Sequence, residues 1–155
     1  MPTDKAAVFA AALLALLFAH TFADHWIQTD HQANTKGRPG WVGRLACARH
    51  VATYTVTAAA ALLAVELRLD LDLHPGRVAA GLAVSAVTHY LLDRRAPLAW
   101  LAALSGHAAF FRLGAPRPQY ADTDRPDNPS LGTGSYALDQ SAHWLFLFVA
   151  ALIIV

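Results

Sequence analysis

Four stretches of this chain stay apolar for about the thickness of a bilayer. Ala6 to Ile27 is almost pure Ala, Leu and Phe up to His20. Leu45 to Leu67 is the second stretch, about Pro75 to Leu92 the third, and Tyr136 to Val155 the last. About twenty helical residues cover the ~30 Å hydrocarbon core. The spacing therefore predicts an all-α fold, a polytopic membrane helical bundle with four transmembrane helices. The chain has 155 residues, so residues 1–155 read as a single transmembrane domain. Composition agrees, with 55% hydrophobic and 15% charged residues, where a soluble domain carries about 25% charge. Pro75-Gly76 is a natural helix start, and Ser135 is the expected N-cap of the last helix.

Pro97 to Leu113 is apolar but short, with Ser105, Gly106 and His107 in its middle. It sits at the lower limit for a span, roughly 17 residues, so it could span, and it reads as one short interfacial or re-entrant helix. Residues 114–134, rich in Pro, Gly, Asp and Asn, read as an exposed cytoplasmic loop. A cleaved signal peptide is the competing reading of the N-terminus, but cleavage would separate His20 from Asp24. The net charge of +1 and the lack of a basic stripe exclude a nucleic-acid partner. Cys47 is the only cysteine, so neither an intrachain disulfide nor a thiolate cluster is available.

The basic residues are unevenly distributed. Lys36, Arg38, Arg44 and Arg49 follow the first span; Arg94, Arg95, Arg112, Arg117 and Arg125 follow the third. The opposite side holds Lys5, Arg68 and Arg77. The positive-inside rule puts both basic segments in the cytoplasm and both termini outside. Trp26, Trp41, Trp100 and Trp144 fall near that cytoplasmic interface, where indoles anchor.

Against this background four polar pairs stand out: His20 with Asp24, His50 with Tyr54, His89 with Asp93, and Asp139 with His143. Residues at i and i+4 share a helix face, with Cβ atoms about 5–6 Å apart. An ionisable group in hydrocarbon costs ~3 kcal/mol or more, which makes each a functional candidate. The predicted topology puts all four pairs in one layer, within about two helical turns of the cytoplasmic surface. Three carboxylates there would repel one another unless neutralised. One or two divalent cations (Zn, Mn or Fe) resolve this, held by His20, Asp24, His50, His89, Asp93, Asp139 and His143. Gln28, Tyr54 and Gln140 lie at offsets suited to orienting the ligands. A metal with an open position activates water against an ester or phosphoester. Asp24 and Asp139 are the candidate catalytic carboxylates, and a membrane lipid is the simplest substrate at this depth.

Other readings of the pairs are a helix-locking hydrogen-bond network, a proton or ion pathway and haem ligation. Haem leaves the Asp residues unexplained. His25 and His31 read as interfacial, His74 as exposed, and His107 as a lone imidazole. Arg94 and Arg95 complement a helix dipole and offer lipid phosphate a partner. Membrane lipids are the expected partners; homo-oligomerisation stays open.

The run His20-Thr-Phe-Ala-Asp24-His-Trp-Ile-Gln28-Thr-Asp30, then His50-x3-Tyr54, His89-x3-Asp93 and Leu138-Asp139-Gln140-x2-His143, resembles a family of small bacterial and phage inner-membrane proteins of unknown function. The likeness runs from about Leu13 onward in the same order. It implies a multi-pass protein of the bacterial cytoplasmic membrane and assigns no reaction. In style the His and Asp pattern is similar to that of membrane-bound metal-dependent hydrolases. The chain departs from the family's common form in its long 114–134 loop and in Arg94-Arg95 directly following Asp93.

Overall fold

The computed structural model describes residues 4–114 and 132–155. Among these there are helices and no strands. Helix α1 (Lys5–Phe22) starts at Asp4, whose carboxylate accepts from Ala6 N at 3.0 Å, and runs directly into a π-helical turn, Ala23–Ile27. A short helix α2 (Asp30–Thr35) follows, held by a reciprocal Thr29–Gln32 capping box. Helix α3 (Gly40–Leu69) is the longest, at 30 residues, and ends at Asp70 in the left-handed region. Helix α4 (Pro75–Asp93) begins at the expected Pro75, with the exposed His74 accepting from Gly76 N. The short α5 (Ala96–Leu104) and α6 (Ala108–Phe111) precede α7 (Gly134–Ile154).

The four long helices form a ring. α1 packs on α3 and α7, and α4 packs on the same two, so α1 and α4 sit diagonally. Small residues permit this close approach: Ala12, Ala19, Ala58, Ala150 and Ala151 are fully buried. At Gly81 a Cβ would lie 2.6 Å from Ile154 Cγ1 and 2.9 Å from the Ala150 carbonyl, so α4 and α7 meet through the missing side chain. Leu16, Leu62, Leu147 and Ile154 fill the interior. The outer face is apolar too, with Leu14, Phe18, Val56, Leu63, Val87, Phe148 and Leu152 exposed. Burying apolar residues inside while exposing them outside suits a lipid surround better than water.

Three of the helical segments, Lys5–Ile27, Gly40–Leu69 and Gly134–Ile154, are long and apolar enough to cross a membrane. The 19-residue α4 is long enough, but Arg77, Ser85, Thr88, His89 and Asp93 make it more polar.

Two expectations need correcting. The N-cap of α7 is Thr133, not Ser135; its hydroxyl accepts from Tyr136 N at 3.2 Å. The helix can start this early because Gly134 brings its backbone against Phe110, where a Cβ would fall 1.7 Å from the Phe110 carbonyl oxygen. The apolar segment Pro97–Leu113 is two helices instead of one. Gly106, at φ 78°, breaks it between α5 and α6. The longer piece has 9 residues, roughly 13 Å of helix, so neither piece alone crosses a bilayer. Most of the expected loop at 114–134 lies outside the described residues; at its end Thr133 and Gly134 are buried.

Candidate metal centre

Each ring helix brings polar side chains to the same end of the bundle. α1 and its π turn bring His20 and Asp24, α3 brings His50 and Tyr54, α4 brings Ser85, His89 and Asp93, and α7 brings Asp139 and His143. The up-down order makes this possible, because α1 and α4 end where α3 and α7 begin. A π turn widens the helix by one residue per turn and often marks functional positions; here it carries Asp24.

The four imidazoles meet across the diagonal of the ring. Ring centroids are 5.4 Å apart for His20 and His89, 4.8 Å for His20 and His143, 5.0 Å for His50 and His89, and 4.5 Å for His89 and His143. Nε2 of His50 and Nε2 of His89 are 3.0 Å apart. Asp24 Oδ1 lies 3.3 Å from His50 Nε2 and 3.7 Å from His89 Nε2. Asp93 Oδ2 lies 3.4 Å and 3.2 Å from the same two nitrogens. Asp24 Oδ2 approaches His20 Nε2 at 3.5 Å. Donor atoms within 4.8 Å of one another form three overlapping sets: His20, His89 and His143; Asp24, His50 and His89; Asp93, Asp139 and His143. All seven sequence-derived ligand candidates therefore belong to one connected cluster, close enough to hold a metal ion.

Hydrogen-bond accounting shows what the cluster lacks. Asp24 Oδ1 and Asp93 Oδ2 are buried and make no well-aligned hydrogen bond, with imidazole nitrogens 3.2–3.7 Å away. Both ring nitrogens of the fully buried His20 likewise make no hydrogen bond. Buried carboxylate oxygens are costly unless a proton donor or a cation satisfies them. His143 is arranged as a ligating imidazole would be. Its Nδ1 donates to the Asp139 carbonyl at 2.8 Å, with Asp139 Oδ2 at 3.5 Å. Both neighbours are acceptors, so Nδ1 carries a proton, and Nε2 is buried without a hydrogen-bond partner. The Nδ1 atoms of His20, His50 and His89 have no such partner among the described residues.

The three orienting candidates fare differently. Tyr54 stacks on His89, with ring centroids 4.1 Å apart, and its hydroxyl meets Ser85 Oγ at 2.5 Å. It thus fixes the His89 ring plane by packing. Gln140 Nε2 donates to Asp139 Oδ2 at 3.3 Å. Gln28 keeps a buried Nε2 with no acceptor. His107 is exposed, beside Ser105, and stays out of the cluster.

Sequence reasoning missed Lys36, which it counted only as a loop charge. Its Nζ lies 2.8 Å from Asp93 Oδ1, and both side chains are largely buried. Arg94 holds the segment in place by donating to the carbonyls of Lys36 and, at 2.6 Å, Arg38. Arg95 donates to the Ala33 carbonyl. These guanidinium groups anchor backbone. Ser85 was missed as well; a serine nearly three turns into an apolar helix carries no signal until its partner is known.

Residues 12–155 match the family described as a protein of unknown function, DUF3307, and the chain belongs to that family. No curated protein and no solved structure matches the chain.

Proposed function

We propose that this DUF3307 member is a multi-pass protein of the bacterial cytoplasmic membrane that binds one or two divalent ions, Zn, Mn or Fe, and hydrolyses a lipid or other membrane-associated ester or phosphoester. In this reading α4 is the fourth span, and the polar end of the bundle faces the cytoplasm, as the Arg distribution favours. The observation that carries it is the convergence of two buried carboxylate oxygens, Asp24 Oδ1 and Asp93 Oδ2, on the Nε2 atoms of His50 and His89.

Asp24, His50, His89 and Asp93 would hold the ion, with His20, His143 and Asp139 beside it. A bound divalent ion supplies Lewis-acid polarisation and acidifies water. Asp24 is nearly enclosed and suits holding charge, whereas the Asp139 side chain is 22% exposed. Asp139 is therefore the better proton acceptor: it takes the proton of the attacking water and returns it to the departing alkoxide as the ester bond breaks. Gln140 steadies that carboxylate. Exposed Trp26, Trp41, Trp100 and Trp144 would seat this end at head-group depth.

Elemental analysis of detergent-purified, chelator-free protein tests the ion, with at least one equivalent of Zn, Mn or Fe expected. No bound metal, and no stabilisation by added Zn or Mn, would sink the metal reading. Turnover of a fluorogenic phospholipid in mixed micelles tests the reaction. Asp139→Asn should abolish turnover while keeping the ion; equal turnover in the variant refutes the assigned role. A second reading has its own observation, the Lys36–Asp93 ion pair, which neutralises a carboxylate without metal. On that reading the polar layer only locks helices, and chelation changes nothing.

A further inference from the structure

We infer that Lys36 stands in the place of a second cation, so that the centre holds a single divalent ion per chain. The inference rests on the metal reading above and narrows it.

Two loci are geometrically open to an ion. One is Asp24 with His50 and His89, which Asp93 Oδ2 also faces; the other is Asp93 with Asp139 and His143. Asp93 borders both, so two ions would have to share its carboxylate. Only Oδ2 is available. Oδ1 is taken by Lys36 Nζ at 2.8 Å. The ammonium is not a stray surface charge: its side chain is 12% exposed against 3% for Asp93. Its backbone is pinned too, since Arg94 donates to the carbonyls of Lys36 and Arg38. Gly43 lets this segment approach, because a Cβ there would fall 2.0 Å from the Arg38 carbonyl oxygen.

Charge balance agrees. Asp24, Asp93 and Asp139 contribute three negative charges and Lys36 returns one positive, leaving two when the imidazoles are neutral. One divalent ion cancels that residue. A second would leave the layer doubly positive in a low-dielectric setting, a cost that no other carboxylate of the cluster offsets. The buried, unpartnered Nε2 of His143 and both nitrogens of His20 then complete or flank the coordination of the one ion without requiring another.

The test is ion stoichiometry on the full chain in detergent, by elemental analysis and by equilibrium dialysis against Mn. Wild type should bind one ion. Lys36→Met frees Asp93 Oδ1 and should bind two, whereas Lys36→Arg should stay at one. Bound Mn in wild type should give the electron paramagnetic resonance spectrum of an isolated ion. Two ions in wild type, or dipolar-coupled Mn, overturn the inference and leave the metal reading standing. So does a single ion in folded Lys36→Met. No ion in any form overturns the metal reading itself. If Lys36→Met does not fold, the wild-type stoichiometry and spectrum still decide.

Discussion

Breaking the Lys36–Asp93 pair tests whether these charges are as buried and as coupled as the geometry says. At 2.8 Å and an effective dielectric of about 20, the gross attraction is about 6 kcal/mol. Desolvation of both groups offsets much of this, so the pair itself adds little net stability. Removing one partner is another matter, because it strands the other: about 3–5 kcal/mol is expected. Lys36→Met strands Asp93, and Asp93→Asn strands Lys36. The double variant strands neither, and should recover to within about 1–2 kcal/mol of wild type. The assay is reversible unfolding in mixed dodecylmaltoside and dodecyl sulfate micelles, followed by circular dichroism, with chelator present. The cycle should then show a coupling energy of at least about 2 kcal/mol. Additivity of the two single changes within about 0.5 kcal/mol would refute the reasoning, since independent sites behave that way. Repeating it with added Mn adds a sign: the ion should restore part of the loss in Lys36→Met and none in Asp93→Asn, which has lost the carboxylate.

Two further changes probe the supports of the centre. Tyr54→Phe keeps the stack on His89 but removes the hydroxyl that meets Ser85; stability should fall by only about 1 kcal/mol. Because the stack sets the His89 ring, Mn affinity by equilibrium dialysis should stay within about threefold of wild type, and a drop of about 10- to 100-fold would refute that account. Gly43→Ala places a Cβ against the Arg38 carbonyl and 2.8 Å from Arg94 Nη1. Backbone must move, at a cost of about 1–3 kcal/mol, and chemical modification of Lys36 should quicken; a modification rate equal to wild type would contradict the account of how that segment is pinned.

Much of the fold was legible because hydrophobic length and helix punctuation are local. The first span and the Pro75 start of α4 follow from residues near one another in the chain. The i, i+4 pairs were legible for the same reason: helical spacing alone puts His20 near Asp24 and His89 near Asp93. The misread elements depend on distant neighbours. Thr133 could replace Ser135 as the cap only because Gly134 fits against Phe110. The π turn at Ala23–Ile27 has no signature in its residue types. Lys36 and Asp93 are far apart in sequence and share no periodicity, so no spacing argument joins them.

The sequence by itself determined that this chain is a helical bundle with apolar flanks, and that its costly polar residues come in helix-face pairs near one level. Local chemistry decides those features, because helix geometry and apolar length act within a few turns. Only the tertiary structure decided that the four pairs meet across the ring diagonal, and that Asp24 and Asp93 turn buried oxygens toward the same two imidazoles. It also decided that a lysine from the connecting segment takes the outer oxygen of Asp93. Those facts depend on how four helices rotate about their axes, and that rotation is set by where small residues such as Gly81, Ala58 and Ala150 let the backbones touch.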